Sequence, residues 1–196
     1  MARRGLAALT LVLAFGGLAP GRAAAQADPV GFINELGVQA IQVLGPSVSP
    51  AARLQRFREL FSADFDLPRI GRFVLGRYWR VATPEQQQQF LGLLREYLAQ
   101  AYAGRLAEYA GERFRALNAQ QDGSETIVTS QIITNDGKQI SVQWHLVNDG
   151  GWKITDAYVA GVSMAVTERD EFAAVIQQGG GQVQYLLDRL RQKVGG

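Results

Sequence analysis

Apolar residues recur at helical spacing up to about residue 109 and then switch to strict alternation, which fixes an order of helices first and strands second. Two turns cut the alternating stretch, Asn135-Asp136-Gly137 and Asn148-Asp149-Gly150-Gly151. Asp-Gly between alternating runs is a hairpin signal, because glycine enters the left-handed backbone region without a steric cost. The predicted strands are Phe114–Gln120, Glu125–Thr134, a return carrying Ile140, Val142, Trp144 and Leu146, and Trp152–Val159.

Before the switch, Phe32, Ile33, Leu36, Ala40, Ile41 and Leu44 mark a helix over 28–44. Gly45-Pro46 and Ser49-Pro50 punctuate a linker, and a second helix over Ala51–Phe65 should bury Leu54, Phe57, Leu60 and Phe61. Gly71 and Gly76 argue for short broken helices across 66–81. Thr83-Pro84-Glu85-Gln86 reads as a helix start: threonine as cap, proline in the first turn, and glutamine closing a capping box. Its stripe of Phe90, Leu94, Tyr97, Leu98, Ala101, Tyr102, Leu106 and Tyr109 extends the helix to about residue 109. Helical spacing returns over Ser163–Gln177, is broken by Gly179-Gly180-Gly181, and resumes with Val183, Leu186, Leu187 and Leu190. The expected fold is α+β: N-terminal and C-terminal helices packed on a curved antiparallel sheet of about four strands that encloses an apolar pocket.

The first 27 residues are set apart. Arg3 and Arg4 precede an uncharged apolar run, Leu6 to Leu18, and Pro20-Gly21 leads to Ala25-Gln26-Ala27. This is the layout of a secretory signal peptide cut before Asp28, leaving 28–196 as a single domain. The run of about 13 residues falls short of the roughly 20 that a membrane-spanning helix needs. No cysteine follows it, so a lipoprotein anchor is not expected.

Removing that leader reverses the charge. The chain holds 20 basic and 18 acidic residues, but Arg3, Arg4 and Arg22 lie in the leader and no acid does. Residues 28–196 then carry 17 basic against 18 acidic groups, a net of −1 with His145 neutral. A near-neutral exported domain lacks the sustained basic surface that nucleic acid requires. With no cysteine, disulfides and thiolate metal sites are ruled out.

Catalytic signals are thin. His145 is the only histidine and has the opposite parity to Val142, Trp144 and Leu146, so it should face outward. Gly161-Val162-Ser163-Met164-Ala165 resembles a nucleophile elbow, but such a hydrolase needs a histidine after its serine, and His145 precedes Ser163. Ser163 therefore reads as a turn or helix cap. The pairs Asp64/Asp66 and Asp170/Glu171 read as solvated faces, and the glycine run at 179–181 is misplaced for a phosphate loop.

Aromatic and apolar residues are the stronger signal. Phe73, Val74, Leu75, Tyr78 and Trp79 lie just before the long helix with its Phe90, Tyr97, Tyr102 and Tyr109. Ordinary core packing accounts for any one of them. Together, on a helix crossing a concave sheet, they also suit the wall of a lipid pocket. The candidate lining is Phe73, Val74, Tyr78 and Trp79, then Phe90, Leu94, Tyr97, Leu98 and Tyr102. The sheet and the last junction add Ile132, Val142, Trp144, Ile154, Val162 and Met164. Arg69, Arg72, Arg77 and Arg80 alternate with the aromatics, either as a solvated face or as a pocket mouth meeting phosphate headgroups or a partner.

Several segments together resemble the MlaC family of periplasmic lipid-binding proteins, also called toluene-tolerance proteins. They are Phe65-Asp66 leading to Arg72-Phe73-Val74-Leu75-Gly76-Arg77-Tyr78-Trp79, the start at Thr83-Pro84-Glu85-Gln86, and Tyr109-Ala110-Gly111-Glu112-Arg113-Phe114. Gly151-Trp152-Lys153-Ile154-Thr155-Asp156 and Val159-Ala160-Gly161-Val162-Ser163-Met164 complete the set. In Thr167-Glu168-Arg169-Asp170-Glu171-Phe172 a glutamate, Glu168, stands where many members have tyrosine, a variant similar to the hopanoid-biosynthesis branch. The resemblance implies a non-enzymatic shuttle without metal or cofactor. It would carry phospholipid, or a hopanoid, between an inner-membrane ABC transporter complex and an outer-membrane lipoprotein complex. It also implies a monomer, with Arg169 joining the other arginines at the headgroup or docking surface. A serine-dependent lipid hydrolase and a non-binding envelope scaffold remain the competing functions.

Overall fold

A computed structural model describes residues 28–43, 45, 47–105 and 111–195. The leader, Leu44 and Pro46 of the linker, and Leu106, Tyr109 and Ala110 lie outside the described residues.

Helix starts follow from their caps. Helix α1 spans Pro29–Val43, and Asp28 accepts from Val30 N and Gly31 N at its entry, each at 3.0 Å. Helix α2 spans Pro50–Asp64, with Ser49 Oγ accepting from Ala52 N at 3.2 Å and proline in the first turn. Helix α3 spans Leu67–Leu75 and is capped by Asp66, whose Oδ1 accepts from Arg69 N at 3.0 Å. A 3₁₀ turn, Gly76–Arg80, then leads to α4, Pro84–Arg105. The capping box at its start is closed in both directions: Gln86 N donates to Thr83 Oγ1 at 3.2 Å, and Thr83 N donates to Gln86 Oε1 at 3.1 Å.

Gly76 does break the chain, at φ 55°, but Gly71 does not. Gly71 lies inside α3, and a β-carbon there would stand 2.3 Å from Leu91 Cδ2. The missing side chain lets α3 and α4 approach closely, a packing requirement that sequence spacing reads as a helix breaker.

The sheet is an antiparallel meander in the order β1-β2-β3-β4-β5. Its strands are β1 Arg113–Asp122, β2 Glu125–Ile133, β3 Gln139–Asn148, β4 Trp152–Val159 and a two-residue β5, Val162–Ser163. It thus has one strand more than expected, because Val162 and Ser163 pair with Val159 and Tyr158 before the chain turns into a helix. Helix α5 spans Met164–Gln178 and α6 spans Val183–Val194. Alternation sorts Val128, Ser130, Val142, Leu146 and Ile154 onto a fully covered face. Irregular register at Ala116/Asn118 and at His145/Leu146 marks two bulges, which bend the strands and give the sheet its curvature.

The core divides in two. One cluster joins α2 to α6 through Phe57, Phe61, Phe90, Tyr97, Phe172 and Leu187, with Phe90 and Tyr97 set edge-on to Phe172 at 5.8 and 5.7 Å. The other joins α1 to the sheet through Ile33, Leu36, Val128, Leu146 and Ile154. The segment between α2 and α3 ties them: Asp66 N donates to Ile154 O at 2.9 Å, while the Asp66 side chain caps α3.

Candidate functional site

Between the two clusters lies a cavity. Its volume is about 180 Å³, and part of it is open to solvent. Its floor is the sheet, through Ile132, Val142, Trp144 and Val159. Phe57, Phe61 and Phe65 close one side from α2 and its C-terminal edge, Ile70 and Val74 another from α3. Leu94, Leu98 and Tyr102 descend from α4, and Met164, Ala165 and Glu168 from the start of α5.

Each wall follows from local chemistry. Leu94 and Leu98 are four residues apart on α4, and Tyr102 repeats the interval, so all three share one face. Trp144 is held across the floor by a hydrogen bond from its Nε1 to Ser130 Oγ at 2.8 Å and an edge contact with Phe114 at 6.4 Å. Asp156 fixes the start of α5: its Oδ1 accepts from Ala157 N at 2.7 Å and Ala165 N at 2.9 Å, and its Oδ2 accepts from Ser163 Oγ. Ser163 Oγ in turn accepts from Val166 N at 3.0 Å and caps the helix.

The residues expected to line a pocket separate into three groups. Val74, Leu94, Leu98, Tyr102, Ile132, Val142, Trp144 and Met164 are brought together around the cavity. Tyr78, Phe90, Tyr97 and Ile154 are instead packed within the two clusters. Phe73 and Val162 are exposed, at 42% and 54%, and Trp79 is half-buried under Arg72, whose guanidinium lies 5.8 Å from its ring centre. The physical reason is helical phase. Phe73 is one residue from Val74, a rotation of about 100° that takes it from the inner face of α3 to the outer one. Phe57, Phe61, Ile70 and Glu168 were missed as wall residues, although the spacing of Phe57 and Phe61 already placed them on one face of α2.

The arginines lie outside the cavity wall. Arg69 pairs with the capping Asp66 at 3.0 Å, Arg77 lies 4.9 Å over the Tyr78 ring and donates to its hydroxyl at 2.8 Å, and Arg80 is exposed. Arg169 covers Phe73 at 5.3 Å and brings α5 against the outer face of α3. These residues form a basic, aromatic patch on α3, the 3₁₀ turn and α5, apart from the cavity lining.

Two expectations about polar residues are corrected. His145 does stand on the outer face, but its side chain is only 17% exposed, because Tyr158 stacks on it at 4.7 Å and its Nδ1 lies 3.0 Å from Glu125 Oε2. The Asp64/Asp66 pair is not a solvated face: Asp66 is a helix cap, and burial raises the carboxyl of Asp64 above its ordinary range, against the opposing charge of Lys153. Ser163 is bonded to Asp156 and Val166, and His145 to Glu125, so the serine and histidine have separate structural partners. Among the described residues no group of His, Asp and Glu is placed to hold a metal ion, and no helix is long and apolar enough to cross a membrane.

Fold and site together define an α+β domain built around one side of an open sheet, with an apolar cavity at the seam. Residues 40–192 match the family described as MlaC protein, and the chain belongs to that family. It is 33% identical over 114 residues to the toluene tolerance protein Ttg2D of Pseudomonas putida, covering 57% of this chain and 53% of that one. It is 23% identical over 133 residues to the intermembrane phospholipid transport system binding protein MlaC of Haemophilus influenzae, covering 65% and 61%. The chain thus spans a little over half the length of these relatives. A phospholipid-binding protein from Ralstonia solanacearum, solved in complex with a phospholipid, superposes with a TM-score of 0.72 at 26% identity, over 86% of this chain and 98% of that one.

Proposed function

We propose that this protein is a non-enzymatic lipid carrier that holds the apolar part of a phospholipid in the cavity between sheet and helices. The observation that carries the reading is that cavity, walled by Ile132, Val142, Trp144, Leu94, Leu98 and Phe61 at the junction of two separate core clusters. The names of the relatives, and the phospholipid bound by the Ralstonia protein, support it.

On this reading residues 1–27 are a cleaved leader, residues 28–196 are the carrier, and the protein works as a monomer in the periplasm. The wall residues contact the acyl chains, and the arginine patch meets the headgroup or docks on partners. Those partners are an inner-membrane ABC transporter complex and an outer-membrane lipoprotein complex. Glu168 in the family segment keeps a hopanoid open as the alternative cargo. Two chains of about 16 carbons, at roughly 0.8 kcal/mol per CH₂, represent about 25 kcal/mol of burial relative to water. A bilayer offers nearly the same, so exchange between membrane and cavity is close to thermoneutral. Direction therefore has to come from partners that favour one state.

The test is native mass spectrometry of the exported full chain after gentle purification, followed by lipid extraction. A bound mass of several hundred daltons, identified as lipid, is expected. Protein that is consistently ligand-free and also fails to take up labelled phospholipid from vesicles would overturn the proposal in favour of a filled scaffold.

A further inference from the structure

Charge is spread unevenly along the chain. Between Leu67 and Arg80 stand four arginines, Arg69, Arg72, Arg77 and Arg80, and no acidic residue. Without those four, residues 28–196 hold 13 basic groups against 18 acidic ones, a net of −5 with His145 neutral. A domain that is near neutral as a whole is thus basic over one short stretch, α3 and the 3₁₀ turn, and acidic over the remainder.

The cations of this stretch are held at the surface. Arg69 is answered by the capping Asp66, whereas Arg72 and Arg77 lie over the rings of Trp79 and Tyr78. Arg169 joins them from α5: it lies over Phe73, and a β-carbon on Gly76 would stand 3.2 Å from its Nε. A guanidinium on a ring face keeps its full charge and leaves in-plane N–H donors for phosphate oxygens. Two apolar side chains stand among these cations, Phe73 and Val166, each 42% exposed. Val166 is three residues before Arg169 on α5 and shares its side of the helix. Asp170, one residue past Arg169, is turned about 100° away and marks the edge of the patch.

Interfaces between proteins are depleted of charge at their centre. Here cations surround the exposed phenyl ring, an arrangement suited to the boundary of a bilayer, where apolar groups enter the headgroup layer and cations meet lipid phosphates. The inner faces of the same two helices wall the cavity, through Ile70 and Val74 of α3 and Met164 and Ala165 of α5. We propose that the outer face of α3 and α5, centred on Phe73 and Arg169, docks directly on an anionic membrane surface. That surface is a partner distinct from the cargo and from the two protein complexes, and docking on it sets the cavity wall beside the bilayer.

The experiment is sedimentation of the exported chain with vesicles, either equal parts phosphatidylglycerol and phosphatidylcholine or phosphatidylcholine alone. Binding to the anionic vesicles is expected, together with little binding to the neutral ones and a loss of about tenfold or more between 0.05 and 0.5 M salt. Arg72→Gln with Arg77→Gln should weaken anionic binding by about 25-fold, on the basis of about fivefold per arginine. Arg113→Gln with Arg115→Gln makes the same change of net charge on exposed positions of β1 and should leave binding as in the parent. Phe73→Ser should weaken binding without changing its salt dependence. Equal losses in the two arginine pairs would reduce the effect to net charge and overturn the proposal. So would a parent that ignores anionic vesicles, including one captured only by a membrane protein. The comparison of lipids and salts uses the parent alone, so it stands even if a variant folds poorly. Cargo is read separately, by extracting the chain before vesicles are added. Cargo found without vesicle docking removes only this inference; docking by a chain that never holds or takes up lipid removes the carrier reading instead.

Discussion

The ring of Phe114 lies against the backbone of Gly37 so closely that a β-carbon on Gly37 would stand 2.2 Å from its Cδ1 and 2.3 Å from its Cε1. Gly37 is buried within α1, and Phe114 opens the first strand, so this contact seats the N-terminal helix on the sheet. Phe114 in turn meets Trp144, which lies in the cavity floor. One glycine thus sets the position of a wall residue through one intervening ring.

Gly37→Ala pits two effects against each other. Alanine favours the helix by about 1 kcal/mol. Overpacking a buried contact costs about 1–3 kcal/mol, and a ring face cannot yield as the end of a flexible chain does. A net loss of stability is expected, seen as a lower urea midpoint at unchanged slope. A variant more stable than the parent would show that Phe114 moves aside freely.

Ile132→Lys places an ammonium in the cavity floor, at a half-buried position from which a lysine stem can reach water. Folding should survive, while retention of vesicle-derived phospholipid should fall by roughly tenfold or more, because the apolar chains then lie against a charge. Val162→Lys, at a residue 54% exposed and outside the lining, should leave retention unchanged. Equal losses in both would detach the cavity from lipid binding.

Asp64 carries a pH-dependent penalty. Burial raises its carboxyl above the ordinary value of 3.8, with Lys153 acting in the opposite direction. The native state then holds this proton more tightly than the unfolded chain, so the group's contribution falls as pH rises between the two values. The penalty is fully present above the raised value and absent below the unfolded one. Asp64→Asn should therefore stabilise the protein near neutrality, and the gain should vanish in acid below about pH 4. Urea unfolding of both proteins across that range checks it; a gain independent of pH would point to another cause.

Local chemistry was legible in the sequence where neighbours in the chain decide the outcome. Thr83 and Gln86 close their capping box, β4 runs over the expected Trp152–Val159, and the turn at Gly137 takes φ 85° as Asn-Asp-Gly implies. The α+β order followed from periodicity alone. The cavity was legible only in part, because an apolar stripe says which face of a helix is buried, not what it is buried against. Leu94 and Leu98 reach the cavity while Phe90 and Tyr97 of the same stripe pack on Phe172, a distinction made by α5 from far along the chain. Gly71 failed as a breaker for the same reason: its role is set by Leu91, on another helix. Glu168 reads as an ordinary polar residue of a helix until α5 is seated against the cavity.

The divided core carries one more consequence. Atoms lining an empty void forgo the dispersion contacts that a packed interior provides, so Phe61, Leu98 and Val142 are unfinished packing when nothing lies between them. In the proposed carrier, cargo is then the last piece of the interior. A loaded molecule would be a more complete protein than an empty one, and handing over the lipid would mean giving up part of its own core.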